Sequence, residues 1–468
     1  MHGRYIDKAN FYSGIYTLLI LSMYVLLTQK DNDLKMLCVK SALAVACAIV
    51  IVFWKSKKVT GGLLYCLCLA FMHMGQVLII AFGMEFTKQL KSSIAIGNGI
   101  ANSIPAVHFS TLACLVTFTM MCFIETNNIV IIDNSALMTV EEKDQMRIHP
   151  IALVFIGIIG ILTILSDVLR VISVAAVGYG AGYKQTNTIL YYADMVFTIC
   201  LFLLISTYKN NKKVIKYIML FVLLRSAVSA FFIGARSDAV LNIVMCGFAV
   251  TKLTTDVRIK KGVIRSFMWI CVIGVVVLPF TGISRYNASL TLASFFQEYN
   301  PISYSLTEFG GTIVNVCKGI AQTGELPITE FFKSFLSIIP MSTTLIPSLQ
   351  SNYGGSYAAY LNINFNGGLG GSLIGEAAFW FGTGFTGLVY IMVIAGIVAI
   401  CMNILERNRF NNGIASNTAI LFLLYEMFYH IRGSVSDFQS GIKLAIYFFV
   451  ILKFTWKYVF IVDKKEQY

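Results

Sequence analysis

Charged residues are what this sequence has least of. They make up 13% of its 468 residues, against about 25% in an ordinary soluble domain. The deficit runs the whole length, so no stretch reads as a separate soluble domain. The net charge is +13, yet no basic stripe with interleaved aromatics lies outside the loops, which argues against a nucleic-acid partner. There are 11 cysteines, but most, such as Cys47, Cys114, Cys200 and Cys246, fall in apolar runs. Only Cys317 sits in a long polar loop, and one cysteine cannot staple it. Cys66 and Cys68 have the wrong spacing for a zinc pair and read as small packing residues. No His/Cys/Asp cluster has metal-ligand spacing, so neither a metal nor a cofactor is expected. The glycine-rich run at 366–371 lacks the Gly-Lys-Ser/Thr of a nucleotide-binding loop. No internal repeat or low-complexity linker is present.

What the chain has in excess is apolar length. Hydrophobic residues reach 57% and the mean hydropathy is +0.75. A span needs about 20 apolar residues to cross a hydrocarbon layer about 30 Å thick. Twelve segments qualify: 11–28, 34–54, 61–84, 103–125, 151–173, 188–207, 215–233, 236–251, 264–282, 384–405, 414–431 and 441–462. The expectation is one all-α polytopic membrane domain over 1–468. The pair at 215–251 is split only by Gly234-Ala235-Arg236-Ser237-Asp238. The first run, Phe11 to Leu27, follows Arg4 and Lys8 and has no small-residue cleavage site after it. It reads as a retained span.

Lysine and arginine in short loops set the orientation. Lys55 to Lys58, Lys209 to Lys216, Lys252 to Lys261, Arg407 with Arg409, and Lys464 with Lys465 all fall on one side of a twelve-span arrangement. That side is then cytoplasmic, with both termini inside. Lys30, Lys35 and Lys40 argue the other way and are outvoted. One long loop, about 283–383, lies outside. Its stretch from Phe331 to Leu336 suits a segment lying flat in the interface.

Ionisable groups inside spans are expensive, by about 2.5–3.5 kcal/mol on insertion scales, and those that persist usually face a cavity. In this orientation Asp167, Arg170, Asp194, Arg225, Arg236, Asp238, Arg285, Glu376, Glu426, His430, Arg432 and His108 all map to the outer half. Arginines there oppose the positive-inside tendency. Guanidinium grips phosphate oxygens with a bidentate fork, so the pattern points to a phosphate held at the outer membrane–water boundary. Blander readings stand beside this one. Arg170 follows Asp167 by three residues and would neutralise it. Arg225 would pair with Asp194, Arg236 with Asp238 would make a solvated cap, and Arg432 would be an interfacial anchor. His430 and His108 are singletons of the kind that serve structure. In the outer loop Tyr286, Tyr299, Tyr304, Tyr353, Tyr357, Tyr360 and Trp380 accompany Asn362, Asn364 and Asn366. Aromatic faces beside amides suit sugar rings; they also suit an aromatic interfacial belt.

The architecture of many spans, one large late outer loop and outer-side arginines resembles the bacterial oligosaccharide repeat-unit polymerases, the O-antigen and capsule polymerase (Wzy) group. Local pieces add to it: Gly234-Ala235-Arg236-Ser237-Asp238 at a span junction, Gly367-Gly368 through Gly371 and Gly375-Glu376 into Gly384 and Gly387, and Arg432-Gly433. The resemblance implies a GT-C-like membrane glycosyltransferase in the bacterial cytoplasmic (inner) membrane. It implies a donor chain on undecaprenyl pyrophosphate, an acceptor hydroxyl on a second lipid-linked oligosaccharide, and surface polysaccharide as product. Arg236, Arg285 and Arg432 would stabilise the leaving pyrophosphate. Glu376 would serve as general base, with His430 its competitor. Arg225, Arg170, Tyr353, Tyr357 and Asn366 are candidate substrate-binding residues. The glycines before Glu376 would let backbone approach a sugar or phosphate. Membrane lipids are partners by necessity, and a chain-length regulator is allowed without being specified. A lipid-linked oligosaccharide flippase, an O-antigen ligase and an unrelated ion or solute transporter are the competing readings, the last disfavoured by the scarcity of acidic residues at mid-membrane. A flippase predicts comparable halves and polar residues through both leaflets, and neither is evident.

Overall fold

The computed structural model describes residues 8–29, 31–56, 60–85, 96, 100–125, 144–177, 188–233, 235–284, 291–336, 346–347, 360, 371–408 and 413–464. Those residues are overwhelmingly helical, as an apolar chain must be when no water is at hand to satisfy its backbone. The first four helices are α1 (Lys8–Thr28), α2 (Leu34–Ser56), α3 (Gly61–Ala81) and α4 (Ser103–Ile124). A strand β1 (Asp144–Ile148) precedes α5 (Pro150–Val177) and α6 (Thr188–Thr207). Next come α7 (Lys212–Val228), prolonged by a π-helical turn Ser229–Ile233, then α8 (Arg236–Leu253) and α9 (Val257–Ser284). Eight of the described helices are long and apolar enough to cross a membrane. They are α1 to α7, with α7 taken through its π-helical turn, and the later helix α15 (Phe385–Asn408). The chain is a multi-pass membrane protein. The other four apolar segments of the sequence are also helical, as α8, α9, α16 (Ile414–His430) and α17 (Val435–Phe454).

The last of these departs from its expected bounds. α17 starts at Val435 and ends at Phe454, and a short helix α18 (Trp456–Val459) leads into β2 (Phe460–Lys464). β2 pairs antiparallel with β1, from Asp144 opposite Lys464 to Ile148 opposite Phe460. The protein is all-α as expected, with one two-stranded ladder beside its helices. Twenty residues of α17 already suffice for a crossing, which frees the β-branched Ile461-Val462 for pairing. The amide of His149 continues the ladder to the Val459 carbonyl at 2.7 Å.

The 283–383 segment is not a draped loop where it is described. It forms α10 (Leu292–Glu298), α11 (Pro301–Phe309), α12 (Thr312–Ala321), α13 (Ile328–Leu336) and α14 (Leu373–Phe381). α12 buries Ile313, Val314, Val316 and Cys317, packing against α3, α4 and α14. Cys317 therefore lies in a core rather than in a polar loop, and burial pushes its thiol up to about 12. Tyr304 and Trp380, read from the sequence as sugar platforms or as part of an interfacial belt, are buried too. Tyr304 joins a core cluster around Phe295, and Trp380 packs on Phe379 and Phe331. On α13, Phe331 turns inward to Phe381 and Tyr390, while Ile328, Phe332 and Leu336 stay exposed. Their spacing of four puts these three on one apolar stripe, as an interfacial segment requires.

The chain divides into two compact units. The first comprises Met1–Asn128, Val275–Asn403 and Glu426–Ser440; the second comprises Ile129–Gly274, Ile404–Tyr425 and Gly441–Tyr468. In the first, α3 is the hub. Thr60 caps its start, and Glu125, from the end of α4, accepts from the Thr60 hydroxyl and the Gly62 amide. Further along, Gly75 lies against Gly310 backbone to backbone, so a side chain at either would collide with the other. Gln76 accepts from the Ile96 amide at 3.0 Å, and the Thr312 hydroxyl donates to the Met72 carbonyl. In the second unit the ladder sits beside α6, where the Tyr208 hydroxyl accepts from the Ile148 amide at 3.3 Å.

Candidate functional site

Glu376 lies in the first turn of α14 and is fully buried. A carboxylate without solvent needs donors, and three converge on it. The ring Nε2 of His430 is 2.7 Å from its Oε2. The Val435 amide donates to both carboxylate oxygens, at 3.1 and 2.9 Å. The Tyr390 hydroxyl is 3.5 Å away. Val435 is the first residue of α17, so the carboxylate also meets the positive end of that helix, where a negative charge is favoured.

His430 is the last residue of α16 and is equally buried. Its ring lies flat on Phe438, with centroids 5.5 Å apart and planes 13° from parallel. With Nε2 on the carboxylate, Nδ1 is left buried and without a hydrogen-bond partner. Such a ring holds its proton at Nε2 and presents a lone pair at Nδ1. Arg432 follows two residues on, half-buried in the tight turn that joins α16 to α17.

The turn and α12 are both tied to the start of α14. A Cβ on Gly371 would land on the Gly433 carbonyl, and a Cβ on Gly319 would land on that of Gly375. The Leu373 amide donates to the Ile431 carbonyl at 3.3 Å, and Asn315 Nδ2 donates to the Gly371 carbonyl at 3.3 Å. These glycines were expected to bring backbone close to a sugar or phosphate. The two that are described, Gly371 and Gly375, instead bring backbone close to backbone.

The second unit holds a separate charge cluster. Arg225 on α7 forms ion pairs with Asp167 on α5 at 2.7 Å and with Asp194 on α6 at 2.5 Å. Arg170 lies 3.9 Å from the other Asp194 oxygen. Two arginines and two aspartates therefore neutralise one another within three spans. Arg236 opens α8, half-buried, with Asp238 in the same first turn. His108 accepts no special role: its Nε2 is 3.1 Å from the Thr28 carbonyl, and its ring packs on Tyr24. Arg285, Tyr353, Tyr357 and Asn366 lie outside the described residues.

Of the residues expected at the site, the structure joins Glu376 to His430 in the first unit, with Arg432 in the turn two residues on, and binds Arg225 and Arg170 to aspartates in the second. Sequence reasoning missed Tyr390, Asn315, Ser372 and His73. His73 had a signal, since it is an ionisable side chain inside an apolar span, the criterion that singled out Asp167 and Arg225.

No curated protein and no solved structure matches this chain. One family profile does, that of the O-antigen polysaccharide polymerase Wzy, over residues 10–464. That match takes in every site residue described above and every helix apart from the first two residues of α1, and the chain belongs to the O-antigen polysaccharide polymerase Wzy family.

Proposed function

We propose that this protein is a glycosyltransferase that joins undecaprenyl-pyrophosphate-linked repeat units at the outer face of the cytoplasmic membrane. We assign the proton transfer to His430, with Glu376 orienting it. The observation that carries this reading is the Glu376–His430 hydrogen bond, made across 54 residues of sequence; Arg432 follows His430 by two residues in the turn. A carboxylate on Nε2 fixes the tautomer and stabilises the ring once it is protonated. The acceptor hydroxyl then attacks the anomeric carbon of the donor chain. Its proton passes to His430 Nδ1, the carbon–oxygen bond to phosphate breaks, and the electron pair leaves with undecaprenyl pyrophosphate. Arg432 meets the charge that develops on the leaving phosphate, where a fixed guanidinium needs no reorganisation. Both members of the pair are closed to solvent, so substrate binding has to open a path to Nδ1. Closure in its absence keeps water from replacing the acceptor. Arg236 and Arg285 are proposed as further phosphate contacts by residue type. Arg225 is already engaged by two carboxylates.

A GT-C-like arrangement of twelve spans with both termini cytoplasmic accompanies this reading. The β1–β2 ladder supports it. Two paired strands must lie on one side of a bilayer, so the spans between residues 148 and 460 must be even in number. Eight helical segments, α5 to α9 and α15 to α17, lie between them. The ladder then belongs to the cytoplasmic side, with the lysine-rich loops.

The test is the surface polysaccharide of a deletion strain, resolved by length on a gel and complemented with variants. Loss of the ladder with a single repeat retained supports the reading, as does the same pattern for His430→Ala, Glu376→Gln and Arg432→Ala with normal protein levels. Trapping of lipid-linked units inside the cell would mean a flippase. Long chains left on their carrier lipid would mean a ligase.

A further inference from the structure

His73 is fully buried halfway along α3, in a segment otherwise made of Leu, Cys, Ala, Phe, Met and Gly. A buried histidine is retained at such a position only if its ring nitrogens are satisfied. Nδ1 is 3.0 Å from the Leu69 carbonyl, and Nε2 is 2.8 Å from Ser372 Oγ. A carbonyl can only accept, so the proton is on Nδ1 and Nε2 accepts from the serine hydroxyl. Ser372 Oγ in turn accepts from the Gly375 amide at 3.0 Å and caps α14. The Ser372 carbonyl takes the next amide, that of Glu376 itself, at 2.8 Å. One uninterrupted chain of bonds therefore runs from the middle of a span to the residue that holds His430.

We propose that His73 and Ser372 are positioning residues for the Glu376–His430 pair, an inference that rests on that pair carrying the chemistry. α14 has only nine residues and cannot fix its own rotation about its axis. The cap is one of the contacts that hold that rotation, beside those of Gly371 with Gly433 and Leu373 with Ile431, and His73 sets the cap, because its lone pair points the serine hydroxyl away from the helix and leaves the oxygen facing Gly375. A Glu376–His430 contact of 2.7 Å has little slack. A misplacement of about 1 Å at a reacting group costs on the order of 100-fold in rate.

The experiment uses the purified full-length enzyme in lipid nanodiscs, with lipid-linked repeat units extracted from a polymerase-deletion strain as substrate. Turnover is expressed per folded molecule, measured by size exclusion and thermal melting. His73→Leu and Ser372→Ala are expected to lower kcat by about 10- to 100-fold with KM within about threefold of wild type. His73→Gln keeps an acceptor at the Nε2 position and Ser372→Thr keeps the hydroxyl, so both should recover most of the loss. Because the pair acts through Glu376, His73→Leu added to Glu376→Gln should bring no further loss. Wild-type kcat in folded His73→Leu, or multiplied losses in the double variant, would overturn the positioning role. Full activity of Glu376→Gln alone would remove the reading on which it rests, and with it the inference. That outcome is scored separately because His73 is intact in the variant.

Discussion

Gly371 and Gly433 touch backbone to backbone, and a side-chain carbon on the first would occupy the carbonyl of the second. The contact locks the start of α14 to the turn that bears Arg432. Gly371→Ala must push the two apart, and overpacking of this kind costs about 1–3 kcal/mol. We expect a lower melting temperature in detergent and loss of long polysaccharide. Gly157 on α5 has open space where a Cβ would go, so Gly157→Ala should melt no lower than wild type. Equal behaviour of the two would show that the contact is not tight.

Arg225 and Arg432 should respond differently to removal. Arg225→Ala leaves Asp167 and Asp194 facing each other inside the spans, and breaking such a buried pair costs about 3–5 kcal/mol. The expected outcome is poor accumulation of the protein in membranes. Neutralising both aspartates as well, with Asp167→Asn and Asp194→Asn, should restore much of the yield. Arg432→Ala is expected to leave yield unchanged and abolish the ladder. Arg432→Lys should fail too if the fork geometry matters. Quantitative blots beside the gel separate the two cases, and normal yield of Arg225→Ala with no polymer would instead place Arg225 at the substrate.

Phe331 and Phe332 are neighbours with opposite surroundings. Phe331 is packed among Trp380, Phe381 and Tyr390, whereas Phe332 is exposed. Phe331→Ala should cost about 3–5 kcal/mol, the usual range for emptying a buried aromatic site. Phe332→Ala should change stability by less than about 0.5 kcal/mol. Phe332→Asp should weaken anchoring in the interface, read as reduced quenching by brominated lipids of a fluorophore placed on α13. Similar stability losses for the two alanine variants would mean that α13 is rotated.

The ladder register can be tested by cross-linking. Met146 stands opposite Val462, close enough for Met146→Cys and Val462→Cys to form a disulfide under oxidant. Both cysteines should also be shielded from a membrane-impermeant thiol reagent added to intact cells. Labelling of one without the other would contradict the pairing and with it the even number of intervening spans.

Most of the membrane architecture was legible in the sequence. Each of the twelve apolar segments has a helical body, though the last ends in β2, and eight of the described helices are long and apolar enough to cross a membrane; hydrophobic length and backbone self-satisfaction leave a chain few alternatives in lipid. The 283–383 segment was legible only in part. Aromatic composition cannot tell a wet platform from a core, and Tyr304 and Trp380 proved to be core. The helices α10 to α14 are short, and their burial is decided by which spans they meet. Glu376 and His430 were recognisable as rival bases, but no local rule joins residues 54 apart in sequence. The hydrogen bond between them is what the sequence does not show. Of the Gly-rich run only Gly371 is described, and it makes close contact between two stretches of protein backbone.

The four-charge cluster of Asp167, Arg170, Asp194 and Arg225 has a consequence for energetics across the bilayer. An elementary charge moved through 100 mV gains or loses about 2.3 kcal/mol. Two positive and two negative side chains held within one network sum to zero, so if they shift together along the membrane normal the resting potential does almost no work on them. The spans α5 to α7 can therefore carry their arginines without becoming a voltage sensor, and the cluster should be indifferent to whether the cell's membrane is energised.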